Sequence, residues 1–288
     1  MKALVTGANG FVGRAMLSAA SRAGIEAVGI SRRDHDYSPD SIARLVDATG
    51  VDLVFHAAGE ASVAASMADP VGDFDASVAL LKVVLAGLRA SSRRPRIIYP
   101  SSAAIYGNPE AQPISESSAI APISAYGYHK AMCELLVREY AHCFGVPGLI
   151  VRPFSLFGES QRRLLVWEIF RQCREASMID LSGSGEEERD YLHVDDFADL
   201  AWALAVRVTV PCQAVNVASG FSIRVLDLAK RVGDALGGAK RVTCRGLRSP
   251  GDPVVWRADI SLLQALCGDI RVPSFPVRLE QVLRAWSQ

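Results

Sequence analysis

Five short apolar runs, separated by helical stretches, constrain this chain more than any other feature. Residues 2–6, 26–30, 52–56, 96–99 and 148–151 each read as a strand. Between them, residues 11–23, 40–49, 73–90 and 124–144 carry apolar positions at helical spacing. In the first of these the positions are Phe11, Val12, Ala15, Met16, Ala19, Ala20 and Ala23, and Gly24 follows as a stop. Strands that are apolar throughout are buried on both faces. They call for a parallel sheet with helices on each side. Right-handed crossovers then make an α/β fold, a doubly wound parallel sheet.

Beyond residue 151 the texture is less regular. Residues 154–158 read as a loop, 163–176 as a helix and 182–185 as a turn. Residues 194–206 and 223–236 read as amphipathic helices, and Glu186, Glu187 and Glu188 as a solvated loop face. The expected division is residues 1–151 as the doubly wound domain and 152–288 as a smaller C-terminal lobe. Segments of the lobe are expected to return to the first domain.

Composition excludes several classes. Half of the 288 residues are hydrophobic, enough for a large core and against disorder. Lys+Arg and Asp+Glu are both 31, so the basic excess of a general nucleic-acid binder is missing. No apolar run approaches the ~20 residues of a membrane span. The chain opens directly on a strand rather than on a secretion signal, so the expected compartment is the cytoplasm. The cysteines, Cys133, Cys143, Cys173, Cys212, Cys244 and Cys267, are scattered with no zinc spacing. They are expected as reduced, mostly buried thiols, with no metal.

The first strand runs into Thr6-Gly7-Ala8-Asn9-Gly10-Phe11-Val12-Gly13, where the first helix begins. Absent side chains at Gly7, Gly10 and Gly13 let backbone approach a pyrophosphate, and the helix N-terminus offers it positive charge. A strand-turn-helix placement distinguishes this from an ordinary glycine-rich turn and points to a nicotinamide dinucleotide. The second strand ends at Ile30 and is followed by Ser31-Arg32-Arg33. A carboxylate there would accept from the ribose 2′-hydroxyl of NAD. Ser31, Arg32 and Arg33 suit the 2′-phosphate of NADP instead, and Asp34 comes late. NADP is therefore preferred over NAD, against the alternative that both arginines are plain loop charges.

On the helix expected at 124–144, Tyr126 and Lys130 are four apart and share a face. A nearby ammonium favours a phenolate, which makes Tyr126 a usable acid/base. Tyr128 points elsewhere. Ser102 follows the fourth strand, at the carboxyl end of the sheet where ligands bind. There it could hydrogen-bond a substrate oxygen, or simply cap a turn.

In this order, Thr6 to Gly13, Asp52 to Ala58, Ser66 to Pro70, Ser102 to Gly107, Tyr126 with Lys130, Arg152-Pro-Phe, Gly185 to Asp196, Asn216 to Gly220 and Pro250-Gly251-Asp252 span nearly the whole chain. Together they resemble the extended short-chain dehydrogenase/reductase family, in its nucleotide-sugar epimerase/dehydratase/reductase branch. The resemblance implies a Rossmann sheet with residues 1–151 as a dinucleotide-binding domain, a smaller C-terminal substrate-binding lobe over 152–288, and catalytic roles for Ser102, Tyr126 and Lys130. It implies that Gly7, Asn9, Gly10, Phe11, Val12 and Gly13 hold the cofactor together with His56, Ala57 and Ala58. Arg189 is expected on the nucleotide diphosphate, with help from Arg248. Homodimerisation is expected through helices around 77–90 and 124–144. His193 is expected to have a structural role at a helix start, against the alternative that it touches substrate.

Departures narrow the chemistry. Where 4,6-dehydratases of the family carry an Asp-Glu pair, this chain has Ala103 and Ala104, which transfer no proton. The cysteine acid/base of members that also epimerise at C3 and C5 is missing near Ala104. Ser77 and Ser155 replace asparagines usual in the family. What remains is hydride transfer at one carbon by an oxidoreductase. The first expectation is an NADPH-dependent 4-ketoreductase acting on a nucleotide-activated sugar or deoxysugar. A 4-epimerase with tightly held NAD(P) is the alternative within the family. A non-catalytic NADP-sensing regulator is the alternative outside enzymes, and the intact Tyr126-Lys130 pair weighs against it.

Overall fold

In the computed structural model, residues 1–33, 35–238, 240–247 and 251–288 are described. The chain runs β1 (Lys2–Thr6), α1 (Phe11–Arg22), β2 (Glu26–Ile30), α2 (Pro39–Thr49), β3 (Leu53–His56), α3 (Val63–Ala68), α4 (Pro70–Phe74), α5 (Leu80–Ala90), β4 (Arg96–Pro100), α6 (Ala125–Phe144) and β5 (Gly148–Pro153). Its second half adds β6 (Ser155–Phe157), α7 (Leu164–Glu175), β7 (Met178–Leu181), β8 (Glu188–His193), α8 (Val194–Arg207) and β9 (Cys212–Val217). After these come β10 (Ser222–Arg224), α9 (Val225–Ala235), β11 (Arg241–Cys244), α10 (Ser261–Cys267) and α11 (Phe275–Ser287).

Six strands form a parallel sheet in the order β2-β1-β3-β4-β5-β9. The chain moves outward in both directions from the β1/β3 pair. That pair is the switch point beside which ligands bind in such sheets. One face of the sheet packs on α1 and α8, around Met16, Phe55, Phe197 and Trp202. The Trp202 indole N–H donates to the Met16 carbonyl at 2.9 Å, so this large ring is buried without an orphaned donor. The other face packs on α2, α5 and α6, around Ile42, Leu81, Leu85 and Val137. Each fully buried Leu or Val there contributes about 1.5–3 kcal/mol. β9 and α8 come from the second half and complete the sheet. β9 pairs with β5 from Gly148↔Cys212 to Pro153↔Val217.

The remaining elements build a lobe with its own core. It contains a three-stranded sheet, β10-β8-β6, and a two-stranded sheet, β11-β7. Phe157, Phe170, Tyr191, Phe275 and Trp286 fill its interior.

Several details depart from expectation. Residues 154–158 are not all loop, because Ser155–Phe157 pairs in parallel with Tyr191–His193. The stretch 73–90 is not one regular helix: a π-helical turn over Asp75–Ala79 separates α4 from α5. Glu186 is exposed, but Glu187 is buried, its carboxylate accepting from the Ser184 and Gly185 backbone N–H groups. Glu188 pairs with Arg257 at 2.7 Å, so the acidic trio is not a solvated face. Cys133, Cys173 and Cys267 are buried, Cys212 is intermediate, Cys143 and Cys244 are exposed, and all six are free thiols. Among the described residues, no helix is long and apolar enough to cross a membrane.

Candidate active site

The cradle between β1 and α1 is shaped by what its glycines lack. Gly7 adopts φ +66°, a left-handed conformation that L side chains resist. A Cβ there would also stand 2.6 Å from the Ala58 nitrogen, at the end of β3. A Cβ on Gly13 would stand 2.2 Å from the Gly7 carbonyl oxygen, so α1 seats against the loop only because position 13 is bare. Gly10 caps α1 with no side-chain hydrogen bond, which leaves the helix's first amides for a ligand. The Asn9 carbonyl accepts from the Arg14 guanidinium at 2.9 Å, while Phe11 and Val12 open the helix. These features fit a dinucleotide: a backbone cradle at a helix N-terminus, at the switch point of the sheet.

β3 delivers His56, Ala57 and Ala58 beside the cradle. His56 is buried. Its Nδ1 lies 2.8 Å from Thr6 Oγ1, and its Nε2 has no partner. Burial, with the charges of Lys130 and Arg32, pushes the imidazole down to about 3, so it is neutral at physiological pH. Ser31 is buried, and its hydroxyl oxygen accepts from the Arg33 backbone N–H at 3.3 Å. The Arg32 guanidinium lies on the surface at 3.5 Å from the Ala76 carbonyl, within the π-helical turn. Asp34 lies outside the described residues.

Tyr126 and Lys130 occupy the first two turns of α6, whose N-cap Ser124 accepts from Gly127 N–H. Lys130 Nζ stands 5.6 Å from the centre of the Tyr126 ring and donates to the Pro100 carbonyl at 2.9 Å. The Tyr126 backbone N–H donates to buried Ser66 Oγ at 3.0 Å. α6 packs directly on a 3-10 turn over Ala103–Tyr106: a Cβ on Gly127 would stand 2.6 Å from the Ala104 carbonyl oxygen. Ser102 caps that turn, its Oγ accepting from Ala104 N–H at 3.1 Å. Capping uses a lone pair of Ser102 and leaves its proton, so the two readings of this serine are compatible. Ala103 and Ala104, with Tyr126, Phe154 and Trp256, form an apolar cluster beside it. Tyr128 is exposed and points away.

Arg189 stands in the lobe on β8, its guanidinium 5.7 Å from the Trp256 ring and donating to the Val254 carbonyl at 3.3 Å. Arg248 lies outside the described residues. His193 is the N-cap of α8. Its Nδ1 accepts from Asp195 N–H at 3.2 Å and its Nε2 donates to Glu159 at 3.0 Å. That hydrogen bond, outweighing the opposite effect of partial burial, holds the Glu159 carboxyl below its ordinary value. Glu159, His193 and Asp195 bring their ligand atoms within 4.8 Å of one another, but both imidazole nitrogens are already engaged.

The sequence reading missed a buried polar group behind the 3-10 turn. Arg152 pairs with Glu134 and reaches Tyr106, which in turn donates to Asn216. Burial pushes the Tyr106 phenol up to about 12, so it serves as a neutral hydrogen-bonding link. Glu134 lies four residues after Lys130, the only local hint, and nothing in the sequence indicates its partner on β5.

Residues 3–218 match the NAD dependent epimerase/dehydratase family. The UDP-glucose 4-epimerase of Streptomyces lividans is 30% identical over 269 residues, covering 80% of each chain. That of Azospirillum brasilense is 27% identical over 287 residues, covering 88% of this chain and 82% of that protein. Among solved structures, MoeE5 in complex with UDP-glucose and NAD superposes with a TM-score of 0.90 at 20% identity, over 100% of this chain and 99% of that one. The glycine cradle at the switch point and the match over most of its length agree, and the chain belongs to the NAD dependent epimerase/dehydratase family.

Proposed function

We propose that the chain is an NADPH-dependent 4-ketoreductase for a nucleotide-activated deoxysugar. The observation that carries this reading is Tyr126 beside Lys130 on the helix turn packed against the Ser102 cap. Gly7, Gly10 and Gly13 would hold the cofactor's pyrophosphate, and Ser31, Arg32 and Arg33 its 2′-phosphate. A bound nicotinamide would supply the hydride. Tyr126 donates its phenolic proton to the oxygen that becomes the C4 hydroxyl. Ser102 donates a second hydrogen bond to that oxygen and polarises the carbonyl. Lys130 offsets the negative charge left on Tyr126. Arg189, with Arg248, binds the nucleotide diphosphate. Ala103 and Ala104 offer no group to remove a proton at C5 or donate one at C6, which favours simple reduction over dehydration.

A second reading is a 4-epimerase, in which Tyr126 takes a proton in one half-reaction and returns it in the other. It is favoured by the UDP-glucose 4-epimerases among the relatives. On either reading we propose a cytoplasmic homodimer. Support comes from exposed Met67, Val71 and Phe74, on the short helices that pack on α6, and from Tyr128, Met132 and Leu135 on α6 itself. On α5, Leu81, Leu85 and Leu88 are buried within this subunit, so α6 rather than α5 carries the larger apolar surface.

One preparation tests these statements. Nucleotide 4-keto-6-deoxysugars should be reduced with one NADPH oxidised per turnover, and Tyr126→Phe should lower kcat about 10³-fold with cofactor affinity retained. Interconversion of UDP-glucose and UDP-galactose with retained NAD, and no net NADPH oxidation, would replace the first reading by the second. Light scattering of the same sample should give a dimer, and a concentration-independent monomer would refute that part.

A further inference from the structure

Arg152 is 1% exposed and Glu134 equally so, at the heart of the molecule. The Arg152 guanidinium donates to both Glu134 carboxylate oxygens, at 2.9 and 2.7 Å, to Tyr106 Oη at 2.7 Å and to the Glu116 carbonyl at 3.2 Å. Tyr106 donates to Asn216 Oδ1 at 2.7 Å, and Asn216 Nδ2 donates to the Ile114 carbonyl at 3.0 Å. Asn216 N–H donates to the Glu116 carboxylate at 2.8 Å. One connected group thus links α6, the 3-10 turn, the strand β5, the returning strand β9 and the segment 114–116. The Arg152–Glu134 ion pair at its centre is buried, while the Glu116 carboxylate at its edge is partly exposed.

Such a group is a poor device for stability. Desolvating an Arg and a carboxylate costs several kcal/mol, and a packed apolar pair of similar volume often does as well or better. Geometry is what the group can supply. A bidentate guanidinium-carboxylate pair fixes both distance and angle, which apolar packing does not. Its two ends sit close to the chemistry. Glu134 is one turn beyond Lys130 and two beyond Tyr126 on the same stripe of α6. Tyr106 closes the 3-10 turn that Ser102 caps. Neither is in a position to exchange protons with a substrate, since both side chains are buried.

We infer that Arg152 is a positioning residue: with Glu134 and Tyr106 it sets the register of α6 against the 3-10 turn, and hence of Tyr126 and Lys130 against Ser102. This rests on the reading of those three residues as the reacting groups, and it holds for reduction and epimerisation alike. A loss of register of about 1 Å between reacting groups lowers turnover by up to about 10²-fold without weakening ground-state binding.

The test uses two variants of the full chain. Arg152→Met with Glu134→Leu removes both charges together and leaves no buried ion unpaired. Tyr106→Phe keeps the ion pair and deletes only the hydroxyl that joins it to the 3-10 turn, so it reports even where the double variant fails to fold. The double variant should keep its thermal midpoint, and its affinity for NADPH or NADH should stay within about threefold. Its kcat should fall about 10–100-fold at nearly constant KM. Tyr106→Phe should lose about 5–10-fold in kcat with the same split. A kcat within about twofold of the parent in a folded variant overturns the inference. So does a joint collapse of midpoint, cofactor affinity and kcat in Tyr106→Phe, which would mean that the network holds the fold and not the register. If the parent catalyses neither reduction nor epimerisation, the proposed function falls and the positioning is read from bound NADPH or NADH. Nicotinamide emission should drop in the variants at unchanged affinity, and unchanged emission overturns it.

Discussion

The cradle after β1 and the lobe around β8 hold themselves together by opposite means. The cradle works by subtraction. Gly7 and Gly13 let backbone pass within contact of backbone, and the groups offered to a ligand are main-chain amides. The lobe works by addition. Asp190 accepts from Ser219 and Gly220 N–H, Glu188 pairs with Arg257, and Asp196 pairs with Arg278, while Phe157, Tyr191 and Phe275 pack edge and face between them. A pyrophosphate is common to every dinucleotide, so a fixed backbone shape serves it. On the proposed function the second ligand, a nucleotide sugar, needs a surface written in side chains, which can vary without disturbing the sheet.

The largest expected effect separates the two directly. Gly13→Ala places a Cβ 2.2 Å from the Gly7 oxygen, 2.9 Å from the Gly7 carbonyl carbon and 3.0 Å from the Ala8 Cα, all backbone. None of these atoms can swing aside, so the variant should lose about 3 kcal/mol or more in urea denaturation and bind NADPH poorly. Arg257→Ala in the lobe removes a pair whose arginine is half exposed, with a side-chain accessibility of 53%. It should cost at most about 1 kcal/mol. Equal losses in the two variants would break the comparison.

The same asymmetry decided how much was legible in the sequence. Gly7, Gly10 and Gly13 act through local backbone, so their spacing next to a strand announces the cradle. Tyr126 and Lys130 were equally readable, because four residues on a helix is a geometric statement. The β6 strand was missed because its three residues acquire strand character only by pairing with β8, which lies more than 30 residues away in sequence. Glu187 was misread for a related reason. Its side chain folds back on its own turn at Ser184 and Gly185, and a run of three acids gives no sign of that. The Arg152–Glu134 pair joins β5 to α6 across 18 residues and was invisible to any periodicity.

A smaller effect, about 2 kcal/mol, contrasts the halves through pH. His56, in the cradle half, is held down to about 3 by burial. It must stay neutral when folded, so its contribution is complete above 6.5 and is lost as pH falls towards 3. That is about 2 kcal/mol between pH 6.5 and 5. Asp190, in the lobe, is pushed up to about 6 by burial, against the hydrogen bonds from Ser219 and Gly220. Its folded form keeps a proton that the unfolded chain has released, so its contribution is complete below 3.8 and is lost as pH rises through 6. In the parent the two slopes oppose each other between pH 4 and 6. His56→Gln should leave stability falling with rising pH across that window, and Asp190→Asn should leave it falling with declining pH. Urea midpoints at three pH values decide this, and parallel profiles in the two variants would sink it.

The smallest expected effect concerns a place where the cradle half would meet its cofactor through side chains. A pyrophosphate site made of amides does not distinguish NADP from NAD, because the two cofactors differ only at the ribose 2′ position. Discrimination therefore falls to the residues after β2, and there the chain offers Ser31, Arg32 and Arg33 with no carboxylate among them. Arg32 is exposed and its contact with the Ala76 carbonyl is long, so its guanidinium can turn to a phosphate at little cost. Exposure also limits its worth, since water and salt screen the pair. Arg32→Ala should weaken NADPH binding by about tenfold, or 1.4 kcal/mol, and leave NADH within about twofold, as read by fluorescence titration at low salt. The gap should narrow as salt is raised. An equal loss for both cofactors would mean that Arg32 supports the π-helical turn rather than the 2′-phosphate. Unchanged binding of NADPH would return specificity to the backbone, and with it the distinction between a half built by subtraction and a half built by addition would extend to the whole cofactor site.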